Sequence, residues 1–159
     1  MNDMPQTYPR VEVEITQNIH PQNRDLIADG LREFNNRYLG EYEWKNLDVY
    51  VRDGNGRVIG GLIGDFALGW FSIHAIWVAE SLRCRGIGST ILNAAEKAAV
   101  EAGCRGAILD TLSFQAPTFY EKRGYLRIGV VDDYRGGVQR IFMQKRLSTN
   151  SGEALRPST

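Results

Sequence analysis

The sequence has few of the features that mark membrane proteins, nucleic-acid binders or disulfide-rich folds. Its two cysteines, Cys84 and Cys104, are too few for a disulfide framework in 159 residues. No apolar run has the length of a membrane span, and none of signal-peptide type stands at the N-terminus. The 19 basic residues balance the 19 acidic ones, so net charge favours neither nucleic acid nor an anionic membrane as a partner. We therefore expect a cytoplasmic protein that binds neither.

Length and composition indicate one folded domain with polar ends. A chain of 159 residues can bury one sizeable core, and no composition shift divides it. The ends are polar and lack hydrophobic periodicity. We predict a domain over residues 10–147, with flexible termini at 1–9 and 148–159.

The most informative stretch joins an apolar strand end to a long helix through a glycine-bearing turn. Apolar residues at three- and four-residue steps predict a helix that ends at Gly103. The helix begins within residues 85–89, which read Arg-Gly-Ile-Gly-Ser. Free backbone N–H groups and the dipole at a helix start attract anions, and glycines allow close approach to the main chain. The turn therefore suits a diphosphate, although an ordinary strand-to-helix turn could carry the same glycines.

Spacing decides among the nucleotide-binding motifs. A Walker loop needs a Gly-Lys-Ser/Thr sequence, which the turn lacks. A dinucleotide fingerprint needs a third glycine three residues after Gly88, where Ile91 stands. The pattern that remains is Arg83-x-x-Gly86-x-Gly88.

This pattern resembles the coenzyme A motif of the GNAT superfamily of N-acetyltransferases. About thirty residues on, a second segment strengthens the resemblance, because GNAT proteins carry a short helix with a tyrosine followed by Gly-Phe or Gly-Tyr. Tyr120 and Gly124-Tyr125 match that pattern, and Gln115 replaces the Asn commonly found before the helix. The resemblance covers residues 49–147.

The resemblance implies transfer of an acetyl group from acetyl-CoA to a primary amine, by direct attack in a ternary complex and without a metal. Tyr120 matches the tyrosine that donates a proton to the leaving sulfur, although it could instead be a structural aromatic beside Phe119. The residues expected to bind the coenzyme are Ile76, Trp77, Val78, Arg83, Cys84, Arg85, Gly86, Ile87, Gly88, Ser89 and Gln115.

A general base is expected on the strand that precedes the turn. Some GNAT members place Glu or His there, and this chain has Ser72 and His74 on a face that alternation predicts to include Ile76 and Val78. A neutral imidazole accepts a proton near neutral pH, so His74 is the predicted base. A hydrogen-bonded core histidine is the structural alternative, and two carboxylates that could act through water are the chemical ones. These are Asp65 and Asp110.

The order of predicted elements indicates an α/β fold with a mixed, largely antiparallel sheet of about seven strands flanked by helices. Strands are predicted at 10–16, 47–52, 58–64, 70–78, 106–110, 125–131 and 138–145. Helices are predicted at 23–38, 87–102 and 115–122, and a glycine-rich turn joins the second and third strands. The GNAT resemblance further implies that the strands flanking the central helix splay apart, with the pantetheine arm beside residues 76–78.

The acceptor is expected to be a small-molecule amine or a protein amine. Acidic and aromatic residues that suit a cationic amine lie in residues 38–44 and at Asp132 and Asp133. By analogy with GNAT relatives, a homodimer through the C-terminal strands is also expected. The alternative function is a non-catalytic module of the same fold that binds or senses acyl-CoA.

Overall fold

The computed structural model describes residues 11–147, which form two compact units, one up to Glu41 and one from Tyr42 onward. The second unit contains the sheet, two α-helices and the predicted site residues. The predicted domain boundaries stay predictions. The termini predicted to be flexible, 1–9 and 148–159, lie outside the described residues.

The first unit contains one helix, α1 (Pro21–Leu39), whose ends follow from its sequence. Pro21 lies in the first turn, where a missing N–H leaves no hydrogen bond unmade. Gly40 closes the helix with a φ of 72° and donates its N–H to the Asn36 carbonyl at 3.0 Å. None of its residues is buried, and its large apolar side chains are exposed.

No strand forms at residues 11–16, where alternation predicted one. Val11, Val13 and Ile15 are 78, 85 and 95% exposed. Alternation produces a strand only where a neighbouring strand accepts its backbone hydrogen bonds, and no described strand pairs with this segment. This prediction was wrong. Arg10, its first residue, lies outside the described residues.

The second unit is built on a six-stranded mixed sheet, one strand fewer than expected because residues 11–16 contribute none. The strand order is β1-β2-β3-β4-β6-β5, and all neighbours are antiparallel except β3 and β4, which are parallel. The strands are β1 (Lys45–Arg52), β2 (Val58–Ala67), β3 (Trp70–Val78), β4 (Gly106–Leu112), β5 (Leu126–Tyr134) and β6 (Val138–Arg146).

Two α-helices and a short 3-10 helix, Glu80–Leu82, complete this unit. α2 (Ile87–Glu101) connects β3 to β4 and begins at the predicted turn, and α3 (Pro117–Glu121) precedes β5 and is shorter than predicted. α2 contributes four fully buried residues to the core, and each buried Ile or Leu stabilises the fold by about 1.5–3 kcal/mol. They are Ile91, Leu92, Ala95 and Ala99. No helix within residues 11–147 is long and apolar enough to cross a membrane.

The predicted hairpin between β1 and β2 is confirmed. Its turn is organised by Asp53, whose Oδ1 accepts hydrogen bonds from the backbone N–H groups of Asn55 and Arg57, both at 2.9 Å. Gly56 has a φ of 80°, a conformation that favours glycine. β2 of this hairpin also pairs with β3, and β3 carries part of the predicted site.

The two C-terminal strands have different neighbours. β6, one of the two strands through which a dimer contact was expected, lies between β4 and β5. β5 is therefore the edge strand on this side of the sheet. The homodimer stays a prediction, and a contact that adds strand to strand would use β5.

Candidate active site

The glycine turn presents unpaired backbone donors at the start of α2. Cys84 and Gly86 both have left-handed backbone, with φ values of 60° and 82°. The first intrahelical bond runs from the Thr90 N–H to the Gly86 carbonyl at 3.0 Å, so the amides of residues 87–89 precede it. A non-glycine residue in a left-handed conformation is strained, and such strain is common at ligand sites. The turn can therefore offer several N–H groups to one anion.

A groove of about 570 Å³ runs along this turn. It brings together ten of the eleven residues predicted to bind the coenzyme, and Arg85 is the one that does not line it. Arg83 lines it and donates from Nε to the Val78 carbonyl at 3.2 Å, which ties the turn to the end of β3. The ten are Ile76, Trp77, Val78, Arg83, Cys84, Gly86, Ile87, Gly88, Ser89 and Gln115.

The expected splay between β3 and β4 is confirmed. The two strands pair only from Trp70 with Gly106 to Ile73 with Leu109, although β3 continues to Val78. The edge of β3 that faces β4 is therefore unpaired with β4 over residues 74–78. Those backbone groups can bond to an extended ligand as a further strand would.

A bulge at His74 changes the predicted face of β3. The pairing with β2 places Ile63 opposite Ala75 and Gly64 opposite Ile73, so His74 is an extra residue. A bulge breaks the two-residue alternation. Ile76 therefore packs against the core, as buried Ile73 does, while His74 is exposed. The predicted common face for Ser72, His74, Ile76 and Val78 was wrong.

The bulge places the His74 ring against a buried carboxylate. His74 Nε2 is hydrogen-bonded to Oδ2 of Asp65, a β2 residue that is only 4% exposed. The other oxygen, Oδ1, is buried without a hydrogen-bond partner. An ionised carboxylate can only accept, so a neutral imidazole paired with it would carry its hydrogen on Nε2 and leave the lone pair of Nδ1 available. The arrangement suits an imidazole that accepts a proton at Nδ1.

Tyr120, the predicted proton donor, is held in place by two aromatic neighbours. Its ring makes edge contacts with Phe119 and Tyr125, with centroid distances of 5.1 and 5.6 Å. Gly124, with a φ of 84°, turns the chain so that the Tyr125 N–H reaches the Tyr120 carbonyl at 3.1 Å. This turn explains the Tyr-x-x-x-Gly-Tyr spacing. Burial raises the pKa of Tyr120 to about 12, so its phenol is protonated at neutral pH.

Gln115 lies before α3, at the position where the GNAT resemblance leads us to expect Asn. Its Oε1 accepts from the Leu112 backbone N–H at 2.9 Å and from Thr111 Oγ1 at 3.2 Å. These bonds fix the side chain amide at the end of β4. The amide nitrogen stays available as a donor in the groove, where Gln115 is a lining residue.

A smaller cavity of about 250 Å³ contains both predicted catalytic residues, His74 and Tyr120. It shares three lining residues with the groove, so the two spaces adjoin. These are Ile76, Gln115 and Ala116. Asp110 also lines the smaller cavity, but both its oxygens accept from Arg140 at 2.7 Å, so they are less available to an amine than Nδ1 of His74.

The roles of two residues in the candidate site were not recognised from the sequence. Asp65 was considered only as a base, and its contact with His74 depends on the pairing of β2 with β3. Arg123, two residues after the end of α3, lines the groove and contacts Ser89, 34 residues earlier in the chain. No local pattern signals either contact. Within residues 11–147, no group of three or more His, Cys, Asp or Glu could hold a metal ion.

Comparison with known proteins identifies the family. The Acetyltransferase (GNAT) family matches residues 16–125. The chain belongs to this family. Two GNAT relatives are acetyltransferase Atu2258 of Agrobacterium fabrum and blasticidin-S acetyltransferase of Streptomyces morookaense. The first is 33% identical over 120 residues, covering 76% of this chain and 88% of the relative. The second is 34% identical over 109 residues, covering 66% and 80%.

A solved structure agrees with this assignment. The crystal structure of an acetyltransferase from Bacillus cereus superposes with a TM-score of 0.77 at 34% identity, covering 84% of this chain and 98% of that one. The mixed α/β sheet with flanking helices is thus the GNAT fold. The protein is a GNAT-type acyltransferase, a family of enzymes that use acetyl-CoA.

Proposed function

We propose that this protein transfers the acetyl group of acetyl-CoA to a primary amine by direct attack in a ternary complex. The observation that carries the proposal is the connection of the groove to the smaller cavity through Ile76, Gln115 and Ala116. A coenzyme whose diphosphate binds at the glycine turn would extend its pantetheine arm beside β3. Its thioester would then enter the cavity that contains His74 and Tyr120.

The coenzyme would be held mainly by backbone groups. The free amides of residues 87–89 would bind the diphosphate at the start of α2. The unpaired backbone groups along the edge of β3 would form hydrogen bonds with the amides of the pantetheine arm. The nitrogen of Gln115 would donate to the same arm in place of the usual Asn.

The chemistry requires one proton acceptor and one donor. The amine nitrogen attacks the thioester carbonyl, a C–N bond forms and the C–S bond breaks. His74 would take the amine proton at Nδ1, with Asp65 holding the ring through Nε2. Tyr120 would donate its hydroxyl hydrogen to the departing sulfur, and its raised pKa keeps that hydrogen in place.

An acyl-enzyme route through Cys84 is less favourable on these geometric grounds. Cys84 lies in the glycine turn, where the diphosphate would bind, and does not line the cavity that contains His74 and Tyr120. A nucleophile must be close to both the thioester carbon and a base. Direct attack of the amine on the thioester needs no enzyme nucleophile.

The proposed setting is the cytoplasm, with a small-molecule or protein amine as acceptor. Balanced charge and two free cysteines support this setting. Because one relative is named blasticidin-S acetyltransferase, blasticidin S is the first amine to test. A polyamine, an aminoglycoside, an arylalkylamine and a lysine peptide complete the panel.

The test is release of free CoA thiol from acetyl-CoA in the presence of each amine. We expect at least one amine to accelerate release well above the rate with acetyl-CoA alone, and mass spectrometry to detect the acetylated amine. Tight binding of acetyl-CoA without acceleration by any amine in the panel would favour the alternative, a non-catalytic acyl-CoA sensor.

A further inference from the structure

Arg123 is fixed in the groove by three contacts, two with Phe119 and one with Ser89. Its Nη1 donates to the Phe119 carbonyl at 2.8 Å, and its Nη2 donates to Ser89 Oγ. Its guanidinium carbon lies 3.8 Å from the centroid of the Phe119 ring. The side chain is therefore held in one position before any ligand binds, which reduces the entropy lost on binding.

These contacts leave the charge of Arg123 uncompensated. Both hydrogen-bond acceptors, a backbone carbonyl and a hydroxyl, are neutral. Ser89 lies in the first turn of α2, beside the free amides. Because the Ser89 oxygen accepts from a cation, its own hydrogen is free to donate to another group. The Arg123 guanidinium, the Ser89 hydroxyl and the free amides at the start of α2 therefore lie close together.

We propose that Arg123 binds the diphosphate of the coenzyme, together with the Ser89 hydroxyl and the amides at the start of α2. This inference rests on the proposed function and adds a residue that the glycine motif does not contain. A guanidinium fixed by two hydrogen bonds presents its remaining N–H groups to phosphate oxygens in a planar array. Its contact with Ser89 places it beside the amides that are proposed to bind the diphosphate.

The test compares Arg123→Met with wild type in calorimetric titrations of three ligands. CoA carries the diphosphate and the 3′-phosphate, dephospho-CoA carries only the diphosphate, and pantetheine carries no phosphate. We expect Arg123→Met to weaken CoA and dephospho-CoA equally, by about ten- to a hundredfold, because one charge-assisted contact is lost. Pantetheine binding should be unchanged.

Arg127→Met is the matched control. Arg127 lies four residues on, pairs with Glu121 at 2.7 Å, and does not line the groove. This variant removes the same charge from the molecule and should bind all three ligands as wild type does. Thermal melting of both variants shows whether the fold is retained.

Each other outcome overturns the inference in a distinct way. Equal CoA affinity in wild type and Arg123→Met would show that Arg123 contacts no phosphate. A loss for CoA alone would assign Arg123 to the 3′-phosphate, and a matching loss for pantetheine would show a structural role. Failure of wild type to bind CoA at all would instead refute the proposed function.

Discussion

At the scale of single residues, the account depends on a phenol and an imidazole in one cavity. Tyr120 is 5% exposed, yet it lines the cavity that also contains His74. Burial both fixes the phenol and raises its pKa, so it is a permanent hydrogen donor at physiological pH. The imidazole is 55% exposed as a side chain, which leaves it accessible to an amine.

Tyr120→Phe removes the donor and keeps the ring. The aromatic contacts with Phe119 and Tyr125 should persist, so folding and acetyl-CoA affinity should be nearly normal. We expect turnover to fall about a hundredfold, as typical for loss of general acid assistance. Steady-state kinetics with the amine from the panel measures this. Unchanged turnover would make Tyr120 a structural aromatic.

Asp65→Asn should separate activity from stability. The buried carboxylate leaves Oδ1 without a partner, so removal of its charge should leave the melting temperature unchanged or raise it. The amide no longer fixes the His74 tautomer, so kcat should fall about tenfold or more while KM for acetyl-CoA stays constant. Kinetics and thermal melting are measured on the same preparation.

A matched control for this prediction is Asp48→Asn. Asp48 is an exposed aspartate that accepts from the Tyr50 hydroxyl at 2.7 Å and lines neither the groove nor the cavity. Its substitution should leave kcat unchanged. An Asp65→Asn enzyme with wild-type kcat would show that His74 needs no orienting carboxylate or is not the base.

The motif residues of the candidate site could be predicted because they are close in sequence. The glycine turn and the tyrosine motif are both contiguous, and ten of the eleven predicted binding residues line one groove. The contacts of Arg123 with Ser89 and of Asp65 with His74 could not be predicted. Each joins two elements that come together only in the folded sheet, so no local periodicity records it.

At the scale of the elements, β3 shows where periodicity succeeds and where it fails. Its bounds, Trp70–Val78, were predicted correctly because apolar and aromatic residues fill it between two turn signals. The bulge at His74 was not predicted, because an extra residue is defined by the partner strand. The bulge nevertheless determines that His74 meets Asp65.

Gly86→Asn tests the turn at the start of α2. Gly86 has a φ of 82° and no atom within 4 Å of an added Cβ, so a side chain there would occupy open space in the groove. Asn tolerates left-handed backbone better than other residues, which limits damage to the fold. We expect acetyl-CoA affinity to fall at least about tenfold, since the side chain obstructs the approach of phosphate to the amides. Calorimetry measures the change.

Gly103→Asn is the control for Gly86→Asn, because Gly103 follows the opposite end of α2. Gly103 has a φ of 83°, and an added Cβ there also meets no atom within 4 Å. It does not line the groove. Both variants should lose similar stability, but Gly103→Asn should bind acetyl-CoA normally. Equal affinities in the two variants would move the diphosphate away from the turn.

At the scale of the whole molecule, the separation of β3 from β4 leaves space for a ligand between two strands of the same sheet. One helix crosses between these parallel strands, and the strands pair only at their beginnings. The strand order and the loss of an expected strand at 11–16 could not be predicted from alternation alone, since both depend on which strands find partners.

The buried tyrosines predict a stability that falls at alkaline pH. Burial raises the pKa of Tyr120 from 10.0 to about 12, and burial followed by the Glu96 carboxylate raises that of Tyr125. Above pH 10 the unfolded state loses protons that the native state keeps, so the free energy of unfolding decreases as pH rises. The full contribution is present below pH 10 and is lost as pH passes the folded pKa.

Chemical denaturation between pH 8 and pH 11 measures this dependence, with Tyr120→Phe as the comparison. Each such tyrosine contributes a slope of up to about 1.4 kcal/mol per pH unit above its unfolded pKa. The wild type should lose stability more steeply than Tyr120→Phe in the upper part of this range. Parallel curves would show that Tyr120 ionises as easily in the folded protein as in the unfolded chain.

The central claim is that acetyl-CoA lies along the groove with its thioester between His74 and Tyr120. A crystal structure with acetyl-CoA tests it most directly. We expect the diphosphate on the amides of residues 87–89, the pantetheine arm along residues 74–78, and the thioester sulfur within about 3–4 Å of the Tyr120 hydroxyl oxygen. A coenzyme bound elsewhere, or one whose thioester lies outside the cavity that contains His74 and Tyr120, would contradict the account.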